Sequence, residues 1–462
     1  MRFYGIFSKA SASIKQHTKG SKDMAITFSG GIHVDGCKGT KNKAIENMPA
    51  PEFVALPLQQ HIGAPVRATV AVGDKVTMGQ VIGRNDNALS CPVHASVSGT
   101  IERIETRNSY IGAGKTEYII IKNDGEYTLC DSIVPLEKKI TDLTCEEIID
   151  MVREAGISGM GGATFPAYAK IQSAVGKAKE LIINCAECEP FITANHRLLL
   201  ERPMDVINGA KILMLALGIS KATFAIEDNK KNAAKVLEDN LLDDKMFTVK
   251  LLKTKYPQGD ERQIVYALNR IEIPTGKLPA DVGCVIFNAE TCDAIYHAVV
   301  DRMPLIARTV TVDGDCICES KNLRIPLGTS YRDVAEYCGG INGKLSKLIN
   351  GGPMMGNTQW DLDGTVTKGT SALLFFSDKY EKKASPCCIH CGKCVSVCPM
   401  HLEPVYLVMF TSAGELDKCL NYNLMSCMEC GSCSFICPGN VPIVQYIREA
   451  KDKIKARPKP QQ

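Results

Sequence analysis

The chain has 462 residues, 45% of them hydrophobic and 23% charged, the balance of a soluble globular protein of roughly three or four domains. A formal charge of +3 is too small to suggest nucleic acid, and the longest apolar run, Ile212 to Ile219, is far short of a membrane span. With 21 cysteines and no secretory signal ahead of them, the sequence favours a reducing cytoplasm over a disulfide framework.

Residues 1–26 are basic and polar without clear periodicity, and read as an extension. From 27 to 125, short β-type runs such as "PVRATVAVGDKVTMGQVIG" and "EYIIIKNDG" alternate with turn signals at hairpin-like intervals, which predicts a small sandwich or barrel. Between 126 and 303 the pattern changes to strands alternating with helices: "ELIINC", "MDVINGAKILMLALGI", "KATFAIED", "KKNAAKVLEDNL". That alternation predicts a doubly wound, Rossmann-like α/β sheet with ligands beyond the carboxyl ends of its strands. Residues 304–372 read as two strands, a helix and a further strand, the outline of a β-grasp module of the SLBB type. The linker "SDKYEKKASP" leads to a helical, ferredoxin-like domain over 373–462, and the chain ends in the basic tail "REAKDKIKARPKPQQ".

The last domain carries one motif twice. Cys388, Cys391, Cys394 and Cys398-Pro399 form C-x2-C-x2-C-x3-C-P, and Cys427, Cys430, Cys433 and Cys437-Pro438 repeat it. Structural zinc generally takes two well-separated C-x2-C knuckles, and disulfides do not suit the compartment. Three thiolates from one short loop instead suit three irons of a cube, and in the two-cluster ferredoxin pattern the fourth cysteine ligates the other cluster. Two 4Fe–4S clusters are therefore expected, one on Cys388, Cys391, Cys394 and Cys437, the other on Cys427, Cys430, Cys433 and Cys398. Cys387 is out of register and reads as a non-ligand. The segment stores and passes single electrons.

A second informative stretch is "GISGMGGATFPAYAKI", Gly156 to Ile171. Its glycines leave backbone amides open to a phosphate or a flat ring, though a plain tight turn would look similar. The stretch also supplies Phe165 and Lys170, and the strand that follows ends in Glu187 and Glu189. No Ser-His-Asp or metal-hydrolase pattern is present, so the chemistry points away from hydrolysis.

Three resemblances follow from these segments. The 27–125 region resembles the barrel-sandwich hybrid of lipoyl and biotinyl carriers, yet the hairpin "PVHASVSG" lacks their modifiable lysine. His94 is its one tempting side chain and reads more simply as structural, which makes the region a docking or covering module. "GxGGAxFP…K", "NxxExEP", "YPQGDERQ" and "NAET" are similar, in order, to the NADH- and flavin-binding motifs of the flavin subunit of respiratory complex I. Together with "FSGGIH", "PLQQHIGAPV" and the paired cysteine motifs, the chain from about Phe28 to Lys455 resembles the C subunits of Rnf complexes, membrane-bound ferredoxin:NAD oxidoreductases that pump sodium ions or protons.

That last resemblance implies that Gly159, Gly161, Gly162, Lys170, Asn184, Glu187 and Cys188 hold non-covalent FMN, with Tyr256, Gly259, Glu261 and Asn288 closing the pocket. Phe165 would stack near the nicotinamide or adenine, and Glu189 would bond NADH; Glu189 and Lys170 are the candidate catalytic pair. Thr164 and Asp260 stand where glycine is usual. The resemblance further implies a peripheral subunit on the cytoplasmic face of the cell membrane. Its partners would be membrane-spanning and iron–sulfur subunits, with ferredoxin reached through the complex. A soluble flavin subunit of a hydrogenase or formate dehydrogenase is the alternative, against which the "QQHIGAP" domain argues. A plain electron-wire subunit with a decayed flavin pocket is another.

Overall fold

The computed structural model describes residues 26–109, 114–242, 244–380 and 387–457. The expected amino-terminal extension, most of the linker before the cysteine motifs and the final part of the basic tail lie outside them.

The barrel region contains β1 (Ile45–Asn47), β2 (Phe53–Pro57), β3 (Arg67–Ala68), β4 (Lys75–Val76), β5 (Val81–Arg84), β6 (Val93–His94), β7 (Gly99–Asn108) and β8 (Lys115–Asn123). Two antiparallel sheets, β2-β8-β7-β4 and β3-β5-β6, close over Val54, Leu56, Ile82, Ile101, Ile119 and Ile121. β1 is not part of either. It runs parallel to a strand of the third region, Ile45 opposite Asn322, so the chain from residue 26 to 47 leaves the barrel expected at 27–125. Ile26 and Ile32 likewise form bridges to Leu252 and Tyr256 of the α/β domain.

The α/β domain is built on β9 (Glu180–Cys185), β10 (Ala222–Glu227), β11 (Phe247–Leu252) and β12 (Cys284–Asn288), all parallel in the order β11-β10-β9-β12. Its helices are α1 (Cys145–Glu154), α2 (Ala167–Ala174), α3 (Ala194–Glu201), α4 (Pro203–Leu217), α5 (Lys231–Leu241), α6 (Glu261–Asn269) and α7 (Ala289–Val300). The period of two decides which layer each strand residue serves. Leu181, Ile183 and Cys185 join the core under α1, α2, α4 and α7, whereas Ile182 joins the core under α6 with Ile264 and Val265. Every residue of β9 and β10 is buried, as a parallel sheet covered on both faces requires.

The third region is a mixed sheet: β13 (Ala307–Asp313), β14 (Lys321–Pro326), β15 (Lys347–Asn350), β16 (Asn357–Gln359) and β17 (Ala372–Phe376), with α8 (Tyr331–Tyr337) between β14 and β15. The order β1-β14-β13-β17-β15-β16 puts β17 at its centre, so this unit runs to Phe376 and past the expected limit at 372. Its core is continuous with that of the barrel, since Val310, Leu323 and Phe375 pack in one cluster with Leu56 and Ile119.

The carboxyl-terminal region carries α9 (Lys393–Ser396), α10 (Pro404–Ser412), α11 (Leu416–Asn421), α12 (Ser432–Ile436) and α13 (Ile443–Lys455) around Leu407, Leu424, Ile443 and Ile447. The sequence duplication is a structural one. α9 and α12 are short turns entered through left-handed glycines, Gly392 (φ 73°) and Gly431 (φ 80°), each between the second and third cysteines of its motif.

Candidate flavin site and cysteine centres

The glycine-rich loop runs between α1 and α2, beyond the carboxyl ends of β9 and β12. Gly159 N–H donates to the Phe165 carbonyl at 2.8 Å and Met160 N–H to Thr291 Oγ1 at 3.0 Å, which pins the loop to the first turn of α7. Gly161 has φ 106°, and a Cβ there would lie 2.8 Å from Asn288 Nδ2; a Cβ on Gly162 would meet open space. Thr164 sits at φ 56°, a left-handed conformation that is costly for a β-branched residue. Asp260 shows no such strain. At φ −71° it caps α6 by accepting from Arg262 and Gln263 N–H, so the carboxylate serves a helix end where glycine could not.

The end of β9 is knit to the 256–260 loop. Asn184 Nδ2 donates to the Gly259 carbonyl at 2.8 Å, its Oδ1 accepts from Ala186 N–H at 3.0 Å, and Cys188 Sγ accepts from Gly259 N–H at 3.3 Å. Lys170 of α2 pairs with Glu261 of α6 and stands 5.3 Å above the Phe287 ring. Gly161, Asn288, Lys170, Glu261, Asn184, Cys188 and Gly259 are thus linked in three small contacts around the strand ends. Phe165 is 37% exposed, and its side chain is available to a ligand.

Three candidate residues also bond to neighbouring segments. Glu187 turns to the start of α3 and accepts from Asn195 N–H at 2.8 Å. Glu189 accepts from Met354 N–H at 3.0 Å and Met355 N–H at 2.9 Å, so its carboxylate holds the 351–356 loop. Burial pushes the Glu189 carboxyl up to about 7 although both amides oppose the shift. Tyr256 is buried and its hydroxyl donates to the Cys430 carbonyl at 2.6 Å, reaching out of the α/β domain into the second cysteine motif.

Sequence reasoning passed over Lys38. Its ammonium donates to the carbonyls of Glu187 (2.8 Å), Glu189 (2.7 Å) and Ile192 (2.6 Å), fixing the turn that carries both glutamates. A lone lysine in "DGCKGT", so far along the chain from those carbonyls, carries no local signal beyond its flanking glycines. The buried Lys230–Glu227 pair, 2.5 Å apart, and Lys368 were missed for the same reason. Lys368 Nζ donates to Pro92 (2.6 Å) and Gly156 (2.7 Å) carbonyls, tying the barrel hairpin beneath the glycine loop. That hairpin is therefore buried where the carrier resemblance implies an exposed one. His94 within it is 3% exposed, and burial lowers its pKa to about 3, as befits a neutral structural imidazole.

The cysteines gather in two places. Cys398, Cys427, Cys430 and Cys433 line one cavity with Leu402, Val444 and Ile447. Burial raises the Cys427 thiol to about 11, with Cys430 and Cys398 close enough to add to the rise. Burial also raises the Cys394 thiol, and there the neighbours that add are Cys437 and Cys388. Cys388 and Cys391 are exposed, as is Cys387. Four thiols around a small, largely apolar cavity are a donor set that suits an iron–sulfur cube.

The fold and the loop define a class. Residues 152–297 match the Nuo51 FMN-binding domain and residues 26–126 match the RnfC barrel sandwich hybrid domain. The chain is 42% identical over 438 residues to the C subunit of the proton-translocating ferredoxin:NAD(+) oxidoreductase complex of Clostridium ljungdahlii, covering 94% of this chain and 95% of that one. It is 40% identical over 434 residues to the C subunit of the Na(+)-translocating ferredoxin:NAD(+) oxidoreductase complex of Acetobacterium woodii, covering 93% and 98%. Among solved structures, an NAD+-reducing [NiFe]-hydrogenase in the H2-reduced state aligns with a TM-score of 0.49 at 17% identity, over 70% of this chain and 64% of that one. The chain belongs to the family of C subunits of ion-translocating ferredoxin:NAD+ oxidoreductase complexes.

Proposed function

We propose that the chain is the peripheral, NAD-facing subunit of such a complex, carrying FMN and two 4Fe–4S clusters. FMN supplies the one chemistry that joins a hydride carrier to a one-electron carrier. The chain's own residues supply the rest. The amides around Gly161 and Gly162 and the Lys170 cation suit a phosphate, and Asn184 and Gly259 frame the strand ends where a flat ring would lie. Phe165 is free to stack against a nucleotide base. Lys38 holds the turn carrying Glu189, so that carboxylate sits at a fixed distance from the loop it caps.

The observation that carries the reading is the Tyr256–Cys430 hydrogen bond, because it puts the buried cysteine set directly against the flavin-site framework. The other set, with Cys388 and Cys391 exposed, faces outward. An inner and an outer centre follow, the outer one meeting a partner. Tyr406, Met409, Leu420 and Phe435 expose apolar surface on the same region, which suits contact with other subunits. No helix among the described residues is long and apolar enough to cross a membrane, so membrane association would come through those subunits on the cytoplasmic face. The mixed sheet with α8 beside it supports a β-grasp module, and the duplicated motif supports a ferredoxin-like domain.

Anaerobic purification followed by iron, sulfide and flavin counts and an NADH titration tests the proposal. About eight irons and one acid-releasable flavin per chain are expected, with flavin absorbance bleached by NADH. Four irons or fewer, or flavin that NADH does not reduce, would remove it.

A further inference from the structure

Between α4 and α7, three ligand atoms converge that the redox chemistry does not use. Asp205 lies in the first turn of α4; Asp293 and His297 lie one turn apart on α7. His297 Nε2 stands 3.7 Å from Asp205 Oδ2 and 3.8 Å from Asp293 Oδ1. These separations are too long for hydrogen bonds. They lie a few tenths of an ångström above the roughly 3.4 Å that separates tetrahedral ligands about 2.1 Å from one ion.

Two further observations point to a ligand. Asp293 is 3% exposed, yet its Oδ1 has no hydrogen-bond partner, and neither has His297 Nε2. The two orphaned atoms are 3.8 Å apart in one cluster. Asp293 Oδ2 is occupied separately by Arg202 at 3.2 Å, which orients the carboxylate and leaves Oδ1 free. His297 Nδ1 lies 2.5 Å from Asp301 Oδ2, the carboxylate–histidine arrangement that fixes the tautomer presenting Nε2 as a ligand.

We propose that Asp205, Asp293 and His297 bind a divalent transition-metal ion of the zinc class, which staples α4 to α7. One imidazole and two carboxylates are a donor set for such an ion. Arg202 and Arg324 both lie near Asp293 and oppose a cation, but the carboxylates of Asp205, Asp293 and Asp301 outnumber them. A cavity bordered by Glu201, His297, Asp301 and Met303 opens beside the site and leaves room for water to complete the coordination. The ion would be structural, since its ligands join the first turn of α4 to α7 and none of them frames the glycine loop.

The test uses the full chain, anaerobic and loaded with its clusters. It is incubated with zinc chloride, passed over a chelating resin, and analysed for zinc and iron together with X-ray absorption at the zinc edge. About one retained zinc per chain is expected, with only nitrogen and oxygen neighbours near roughly 2.0–2.1 Å. His297→Gln and Asp205→Asn should each lower retained zinc at least tenfold at unchanged iron and flavin. Asp205 is partly exposed, so its variant keeps the test valid where His297→Gln disturbs packing. No retained zinc, a sulfur shell near about 2.3 Å, or equal retention in wild type and both variants would overturn the proposal.

Discussion

Gly161 shows what a single position can decide. Its φ of 106° lies outside the range of L side chains, and the Asn288 amide occupies the space a methyl would need. Gly161→Ala should therefore cost about 1–3 kcal/mol and lower flavin retention more than tenfold while iron content stays constant. Flavin and iron counts on the purified variant check this. The resemblance implies glycine at both Thr164 and Asp260, and only dihedral angles separate them: one is strained, the other is a helix cap. Residue type alone does not carry that information. Glu189 stands out in the sequence as a candidate carboxylate, but its partners do not, because the Met354 and Met355 amides come from a loop between strands of a different sheet. Its carboxyl titrates at about 7 in the fold and ordinarily near 4.5. Between those values the folded chain holds a proton that the unfolded chain has released, so this group's contribution is greatest below pH 4.5 and falls as pH rises through 7. Glu189→Gln keeps an acceptor but cannot ionise. Relative to wild type it should gain on the order of 1 kcal/mol between about pH 5.5 and 8, read as a widening difference in thermal midpoints. A constant difference would mean that the two amides keep the carboxylate ionised throughout.

Among elements, long periodic segments were readable and edges were not. β9 and β10 appear in the sequence as continuous apolar runs because both faces are covered, and α4 as a helix of apolar spacing. The path of residues 26–47 was unreadable. Its pairing partners, Leu252, Tyr256 and Asn322, lie in other domains, and short polar strands have no period of their own. In the basic tail, Arg448 and Lys451 bond Glu429 beside the second cysteine motif, Lys453 bonds Glu449 and Arg457 bonds Asp417, so most of that charge is internally matched. Ala450 is fully buried, so this part of the tail belongs to the core of the cysteine region. A close approach of two helices gives a sharper prediction. A Cβ on Gly209 of α4 would fall 1.8 Å from the Cys292 carbonyl oxygen of α7, a backbone atom with no freedom to move aside. Gly209→Ala should gain helix propensity of about 1 kcal/mol yet lose more through overpacking, so that the thermal midpoint falls by several degrees. Gly218→Ala, at an open left-handed cap, loses only about 1 kcal/mol and serves as the reference.

At the scale of the molecule, the barrel, the mixed sheet and the cysteine region converge on the α/β domain through polar contacts that no local pattern announces: Lys368 from beneath the glycine loop, Glu189 to the 351–356 loop, Tyr256 to Cys430. The cysteine motifs stand out in the sequence because three thiols of each lie in one short loop. The fourth thiol is not local, and here the arrangement makes a crossed prediction. If Cys437 completes the outer centre with Cys388, Cys391 and Cys394, then Cys437→Ser and Cys388→Ser should remove or convert the same cluster despite their distance in sequence. Cys398→Ser should instead share the defect of Cys427→Ser, because those two line one cavity. Cys387→Ser should leave both clusters intact. Its thiol is exposed, and only its carbonyl, 2.2 Å from where a Gly439 Cβ would sit, packs against the second motif. Reduced-state EPR with iron counts on the five variants distinguishes the patterns. Pairing of Cys437 with Cys427 in the spectra would mean that each motif closes on itself, and the inner and outer centres would then have to be reassigned.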